Sequence, residues 1–234
     1  MIPKVIHYCW FGRNPLPKSA KKCISSWKKF YPDYEIKEWN EDNFDVNIIP
    51  YTHDAYEAKK YAFVSDYARF WILYHYGGLY FDTDVEVIRP IDDLIERGAF
   101  MGWETTDKNA SINPGLGLCA PQGLSIYGEI LDYYKTKMKF YLEDGTRSSY
   151  TMIPMVSELL EKYGLIRDGS EQEVQGITVY PIDYFNPYNY LIGELNLTSN
   201  TRSIHWYSMS WYTWKQKARL FLSMYVRRII SKFK

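Results

Sequence analysis

The sequence predicts an α/β layered domain with a mostly parallel central sheet flanked by helices. Short apolar segments alternate with longer helical stretches along the chain, the order that places helices over a parallel sheet. Gly77-Gly78 and Pro32 stop helices in the expected places. Of 234 residues, 46% are hydrophobic, ample for one core, and no repeat, low-complexity segment or linker divides them. The expected organisation is one domain over 1–214 followed by a basic amphipathic helix over 215–234.

Residues 5–10 read as a buried strand. Residues 17–30 read as a basic amphipathic helix ended before Pro32, and 34–39 as a second strand. A largely buried helix is expected over 56–76. Strands at 79–81 and 85–88 flank Asp82-Thr83-Asp84. Further strands are expected at 100–104, 117–119 and 177–182, and helices at 124–140 and 155–163.

Formal net charge is zero but uneven. Residues 215–234 hold seven Lys or Arg and no acid, leaving 21 basic and 28 acidic groups elsewhere, a net of −7. An acidic body argues against a nucleic-acid partner. The tail places Leu222, Tyr225, Val226, Ile229 and Phe233 on one helical face, opposite Lys217, Arg227, Arg228, Lys232 and Lys234. Such a helix either lies on an anionic membrane surface or packs on the domain with a solvated basic face. Cys9, Cys23 and Cys119 are odd in number, lack metal-type spacing and fit a reducing compartment. No secretory signal pattern and no run of 18 apolar residues is evident.

The chemistry concentrates in Tyr76-Gly77-Gly78-Leu79-Tyr80-Phe81-Asp82-Thr83-Asp84. In an extended backbone, side chains at i and i+2 point to one side, about 7 Å apart. Asp82 and Asp84 so placed can share a hard divalent cation, and Mg²⁺ or Mn²⁺ in such sites commonly bridges substrate phosphates. A diphosphate substrate follows. Upstream, Asp66 and Arg69 sit at i and i+3 on an apolar helix, where charged side chains are rarely buried unless paired. The Walker pattern is absent, which disfavours NTP hydrolysis, and no nucleophile elbow is present.

The pattern Ser65-Asp66-x-x-Arg69 followed by Tyr76-x-x-Gly-Gly-x-Tyr80-x-Asp82-x-Asp84 resembles the sugar-binding region of family 32 glycosyltransferases. That family includes bacterial capsule-type enzymes and fungal initiating mannosyltransferases, and the glucosylating domains of clostridial toxins carry a related pattern. The opening Ile2-Pro3-Lys4-Val5-Ile6-His7-Tyr8-Cys9-Trp10-Phe11-Gly12 and the late Ile204-His205-Trp206-Tyr207-Ser208-Met209-Ser210-Trp211 are similar to its first and closing elements.

The resemblance implies a GT-A-like fold, a Mn²⁺ or Mg²⁺ cofactor and a nucleoside-diphosphate sugar donor. It implies retention of anomeric configuration and, for bacterial relatives, a role in surface polysaccharide synthesis on a glycan or lipid-linked acceptor. The absence of a membrane anchor then points to the cytoplasm, with the tail as a possible contact to the inner membrane face. Asp84 is implied as the more direct metal ligand, with Asp82 toward ribose and donor sugar, and Asp66 and Arg69 on the donor sugar. Trp10 is implied to stack on the nucleobase, and Asn40 and Ser65 to contact ribose. Tyr80 is a second candidate for base or sugar contact, and Asn113 for the donor sugar. Ser210-Trp211 are implied to close over the diphosphate. His205 serves either as a metal ligand or as a phosphate contact, and His7 packs inside the first strand. Two other readings use the same residues: a sugar-nucleotide hydrolase or other metal-dependent phosphohydrolase, and a non-catalytic glycan-binding module.

Overall fold

The computed structural model describes residues 1–106 and 109–208. The expected basic helix over 215–234, with Ser210 and Trp211 before it, lies outside the described residues. Strand β1 (Val5–Cys9) enters the core and is followed by α1 (Lys18–Phe30) and β2 (Glu35–Trp39). The apolar stripe of α1, Ala20, Cys23, Ile24 and Trp27, faces inward, while its lysines face solvent.

The single helix expected over 56–76 is instead two: α2 (Pro50–Glu57) and α3 (Tyr61–Tyr76). Pro50 starts α2 at a position where its missing N–H costs nothing. Lys59, at φ 56°, breaks the run in the left-handed region, which no Gly or Pro advertises in the sequence. Helix α3 then ends at Gly77, as the glycine pair indicated. A side chain at Gly77 would collide with the backbone of Gln122 at 2.7 Å, and one at Gly78 with the Val5 carbonyl at 2.7 Å. Both glycines also hold positive φ, so the chain passes from α3 into β3 (Gly78–Tyr80) only without Cβ atoms.

Beyond β3 come β4 (Val85–Val87), α4 (Asp92–Glu96), β5 (Ala99–Gly102), β6 (Leu118–Ala120) and α5 (Ser125–Thr136). The chain continues through α6 (Met152–Glu161), β7 (Gln172–Val174), β8 (Ile177–Tyr180) and α7 (Ile182–Phe185). It ends, within the described residues, in β9 (Tyr188–Asn189), β10 (Glu194–Leu195) and β11 (Ser203–His205). Helix α5 stops four residues short of the expected Phe140.

Seven strands form the central sheet in the order β2-β1-β3-β6-β5-β8-β7. Pairings β1–β2, β1–β3 and β5–β8 are parallel, and β3–β6, β5–β6 and β7–β8 antiparallel. Five strands therefore run one way, with β6 and β7 reversed, which is the mostly parallel sheet expected. One core lies between the sheet and α2, α3, α5 and α6, and a second under α1 and β4. β11 pairs antiparallel with β4 in a separate two-stranded ribbon, His205 opposite Val85. That ribbon brings the end of the described chain to the Asp-x-Asp segment.

His7 is buried inside β1, as expected. The Trp39 indole donates to its Nδ1 at 3.0 Å, so the proton on Nε2 reaches the Gly77 carbonyl at 3.0 Å. Burial pushes its pKa down to about 4, keeping it neutral. Cys9, Cys23 and Cys119 are free and buried.

Candidate active site at the carboxyl edge of the sheet

Asp82 lies just past the carboxyl end of β3, where ligands bind in sheets of this kind. The segment is a turn rather than extended strand: the Val85 amide donates to the Asp82 carbonyl at 3.0 Å. The turn draws the two carboxylates closer than extended geometry does. Ligand atoms of Asp82, Asp84 and His205 all lie within 4.8 Å of one another.

Arg69, 3% exposed, projects from α3 toward this turn. Its Nη2 donates to Asp66 at 3.0 Å and to Asp82 at 3.1 Å, its Nε to the Ser65 carbonyl at 3.1 Å. Its guanidinium also lies 5.0 Å from the centre of the Tyr80 ring. Tyr80, fully buried in β3, donates its hydroxyl to Asp82 at 3.1 Å. The i, i+3 pair read in the sequence is thus one half of a bridge from helix to turn. Burial raises Asp66 to about 6, partly offset by Arg69. Burial also raises Asp82, again opposed by Arg69.

Asp84 takes its partners from the end of the described chain instead. His205 Nε2 lies 3.1 Å from its Oδ1, and Ser208 donates its amide at 2.8 Å and its hydroxyl at 3.0 Å to Oδ2. Burial would raise the Asp84 pKa, but His205 and the Ser208 donors outweigh it and hold the carboxyl well below the usual range. His205 is 6% exposed, and its pKa is raised because Asp84 outweighs burial. Its Nδ1 is buried with no hydrogen-bond partner among the described residues. Two carboxylates and an imidazole form an O,O,N donor set, which suits Mn²⁺ and accommodates Mg²⁺ less well.

The other residues singled out in the sequence divide. Ser65 bonds back to the Tyr61 carbonyl at 3.2 Å and lies one residue before Asp66. Trp10, half-buried at the carboxyl end of β1, donates its indole N–H to the Asn14 carbonyl. Asn40 uses its amide in the turn after β2, donating to Glu38 at 2.9 Å and accepting from the Asp42 amide. Asn113 is buried, donating to Glu104 at 3.0 Å and accepting from the Gly115 amide at 2.7 Å.

Three site residues escaped sequence reasoning. Ser208 lay inside the late motif, but only the β4–β11 pairing brings it to Asp84. Gly115 packs so closely that a Cβ there would come 2.3 Å from Asp82 Oδ2, a role the glycine-containing turn only hinted at. Glu104, two residues past β5, carried no motif at all.

Residues 17–101 match the model of the glycosyltransferase sugar-binding region containing the DXD motif. Inositol phosphoceramide mannosyltransferase 3 of Schizosaccharomyces pombe is 33% identical over 108 residues, covering 43% of this chain and 29% of that one. Mannosyl phosphorylinositol ceramide synthase CSH1 of Saccharomyces cerevisiae is 33% identical over 109 residues, covering 43% and 28%. The matched stretch spans about a third of the length of these curated relatives. Among solved structures, PaToxG glycosyltransferase aligns with TM-score 0.52 at 17% identity over 69% of each chain. A glycosyltransferase involved in glycosylation of the major capsid of PBCV-1 aligns with TM-score 0.50 at 12% identity, over 94% of this chain and all of that one. At such identities the likeness is of fold. Over residues 17–101, the chain is similar to the glycosyltransferase sugar-binding region containing the DXD motif.

Proposed function

We propose that this chain is a metal-dependent glycosyltransferase that moves a hexose from a nucleoside-diphosphate sugar to a glycan or lipid-linked acceptor. One observation carries the reading: Asp82, Asp84 and His205 present ligand atoms within 4.8 Å of one another, with the guanidinium of Arg69 3.1 Å from Asp82. A divalent ion held there supplies charge neutralisation for a departing diphosphate. Asp66 accepts hydrogen bonds from sugar hydroxyls, and Arg69 keeps the neighbouring carboxylates paired while offering its remaining N–H groups. Trp10, at the same edge of the sheet, presents a flat face for a base.

The relatives named as mannosyltransferases make GDP-mannose the first donor to test, beside UDP-hexoses. Retention of configuration and a place in bacterial surface polysaccharide synthesis, on the cytoplasmic side, complete the reading.

A thermal-shift screen of UDP, GDP and their sugars, with and without Mn²⁺, tests it. A ligand at about a hundred times its Kd stabilises the folded state by about 2.7 kcal/mol. Stabilisation by one nucleoside diphosphate only when Mn²⁺ is present supports the proposal. Indifference to every nucleotide, with metal-independent glycan binding, would return the site to a binding module. Sugar release to water that no acceptor can compete with would favour a hydrolase.

A further inference from the structure

We infer that Glu104 is a further catalytic residue, the group that receives the acceptor's hydroxyl hydrogen bond; this rests on the transferase reading above. Glu104 is fixed on every side but one. Its amide donates to the Ser111 carbonyl at 2.7 Å, and its carbonyl accepts from Asn186 Nδ2 at 3.0 Å. Its side-chain Oε1 accepts from Asn113 Nδ2 at 3.0 Å and from the Tyr207 hydroxyl at 3.3 Å. Among the described residues, no donor reaches Oε2. A carboxylate oxygen only accepts. A half-buried one, held rigid with one oxygen open, is set to take an O–H from a ligand.

Both partners of Oε1 lead back to the candidate metal site. Asn113 accepts from the amide of Gly115, which packs on Asp82. The Tyr207 ring meets the His205 ring edge-on at 4.1 Å, and His205 contacts Asp84. Glu104 thus closes a ring of contacts that begins at Asp82 and ends at Asp84. Its position separates it from the donor-sugar side. Asp66 and Arg69 approach Asp82 from α3, whereas Glu104 follows β5, with β6 lying between β5 and β3. Two strand spacings put the ends of β3 and β5 about 10 Å apart. A sugar seated over Asp82 therefore lies between Arg69 and Glu104. The carboxylate then faces the side from which a second hydroxyl arrives.

Water is the smallest acceptor, so the test needs no identified glycan. Sugar release from UDP-glucose, UDP-galactose, UDP-N-acetylglucosamine and GDP-mannose with Mn²⁺ is compared between the wild type and Glu104→Gln. Gln still accepts from Asn113 and Tyr207, but turns a donor toward the open side. The expected result is a kcat at least about tenfold lower, with donor KM and Mn²⁺-dependent diphosphate affinity within about twofold. An unchanged kcat overturns the inference. So does a donor KM that rises as far as kcat falls, which would place Glu104 on the donor, or a loss of diphosphate affinity, which would make it structural. A wild type that binds diphosphate with Mn²⁺ yet cleaves no donor overturns it while leaving the nucleotide site standing. A wild type that binds none overturns the transferase reading itself.

Discussion

Asp82 meets Arg69, 13 residues before it, whereas Asp84 meets Ser208, 124 residues after it. The first contact is built from one helix and the strand that follows it. The second exists only because β11 pairs with β4. Their electrostatics differ in sign as well. On the helix side, three charged groups crowd into the interior, and burial raises both Asp66 and Asp82 despite Arg69. On the ribbon side, His205 and two donors from Ser208 hold Asp84 ionised. One turn therefore joins a half whose carboxyls burial raises to a half that stabilises its anion. The first fits the reading of a sugar-hydroxyl site, where a carboxylate awaits hydrogen bonds. The second fits a metal ligand, which must be deprotonated to bind.

Removing the cation of the helix half is the largest perturbation. Arg69→Met leaves Asp66 and Asp82 without their shared partner and is expected to cost about 3–5 kcal/mol, the range for breaking a buried ion pair. Urea denaturation reads this directly, and a loss below about 1 kcal/mol, as for surface pairs, would dissolve the contrast. On the other half, Asp84→Asn is expected to weaken Mn²⁺-dependent diphosphate binding at least about 100-fold, roughly 2.7 kcal/mol, with the fold intact by circular dichroism. Unchanged calorimetric affinity would remove Asp84 from the metal site.

The third prediction uses the opposite signs. Asp66 has a folded pKa of about 6, above its ordinary value, so its favourable contribution is present in acid and lost as pH rises through 6. Asp66→Asn should therefore be more stable than wild type by about 3 kcal/mol at pH 7, with the gain vanishing near pH 4. Asp84 is lowered, so its contribution is present at neutral pH and lost as pH falls. Asp84→Asn should flatten the acid loss of stability seen in wild type. Parallel pH profiles for the two variants would show that the halves do not differ. The smallest effect is expected at Gly115, where an added methyl meets Asp82 Oδ2 at 2.3 Å and Asn113 Oδ1 at 3.0 Å. Gly115→Ala should weaken metal-dependent diphosphate binding about tenfold, roughly 1.4 kcal/mol, while the melting point moves little. A large fall in melting point with normal affinity would make Gly115 a packing residue.

The same divide separates what the sequence reveals from what it hides. The Asp66–Arg69 pair, the Gly77-Gly78 stop and the two carboxylates of Asp-x-Asp are local, and periodicity and spacing find them, although spacing reads as extended a segment that the Val85 amide closes into a turn. The break between α2 and α3 is hidden because Lys59 takes a left-handed conformation with no glycine to mark it. β11 is three residues long, too short for an alternation signal, and its partner lies more than 100 residues away. His205 was legible only by resemblance to a family's closing motif, and Ser208 only as a member of it. Glu104 owes its place to strand order, since β5 joins β3 through a reversed β6 that no periodicity announces. The charged residues were readable where the chain neighbours itself, and unreadable where the sheet does the gathering.

The central claim is that the local and long-range halves grip one ion together, so the ion must see an imidazole as well as carboxylates. Pulsed electron paramagnetic resonance of Mn²⁺ bound with a nucleoside diphosphate reads the ligand atoms without any assay of activity. Coordination by the His205 ring gives nitrogen modulation in the wild type that is lost in His205→Gln, with weaker Mn²⁺ binding. Tight Mn²⁺ binding with no nitrogen coupling in the wild type, or coupling that survives in His205→Gln, would contradict it.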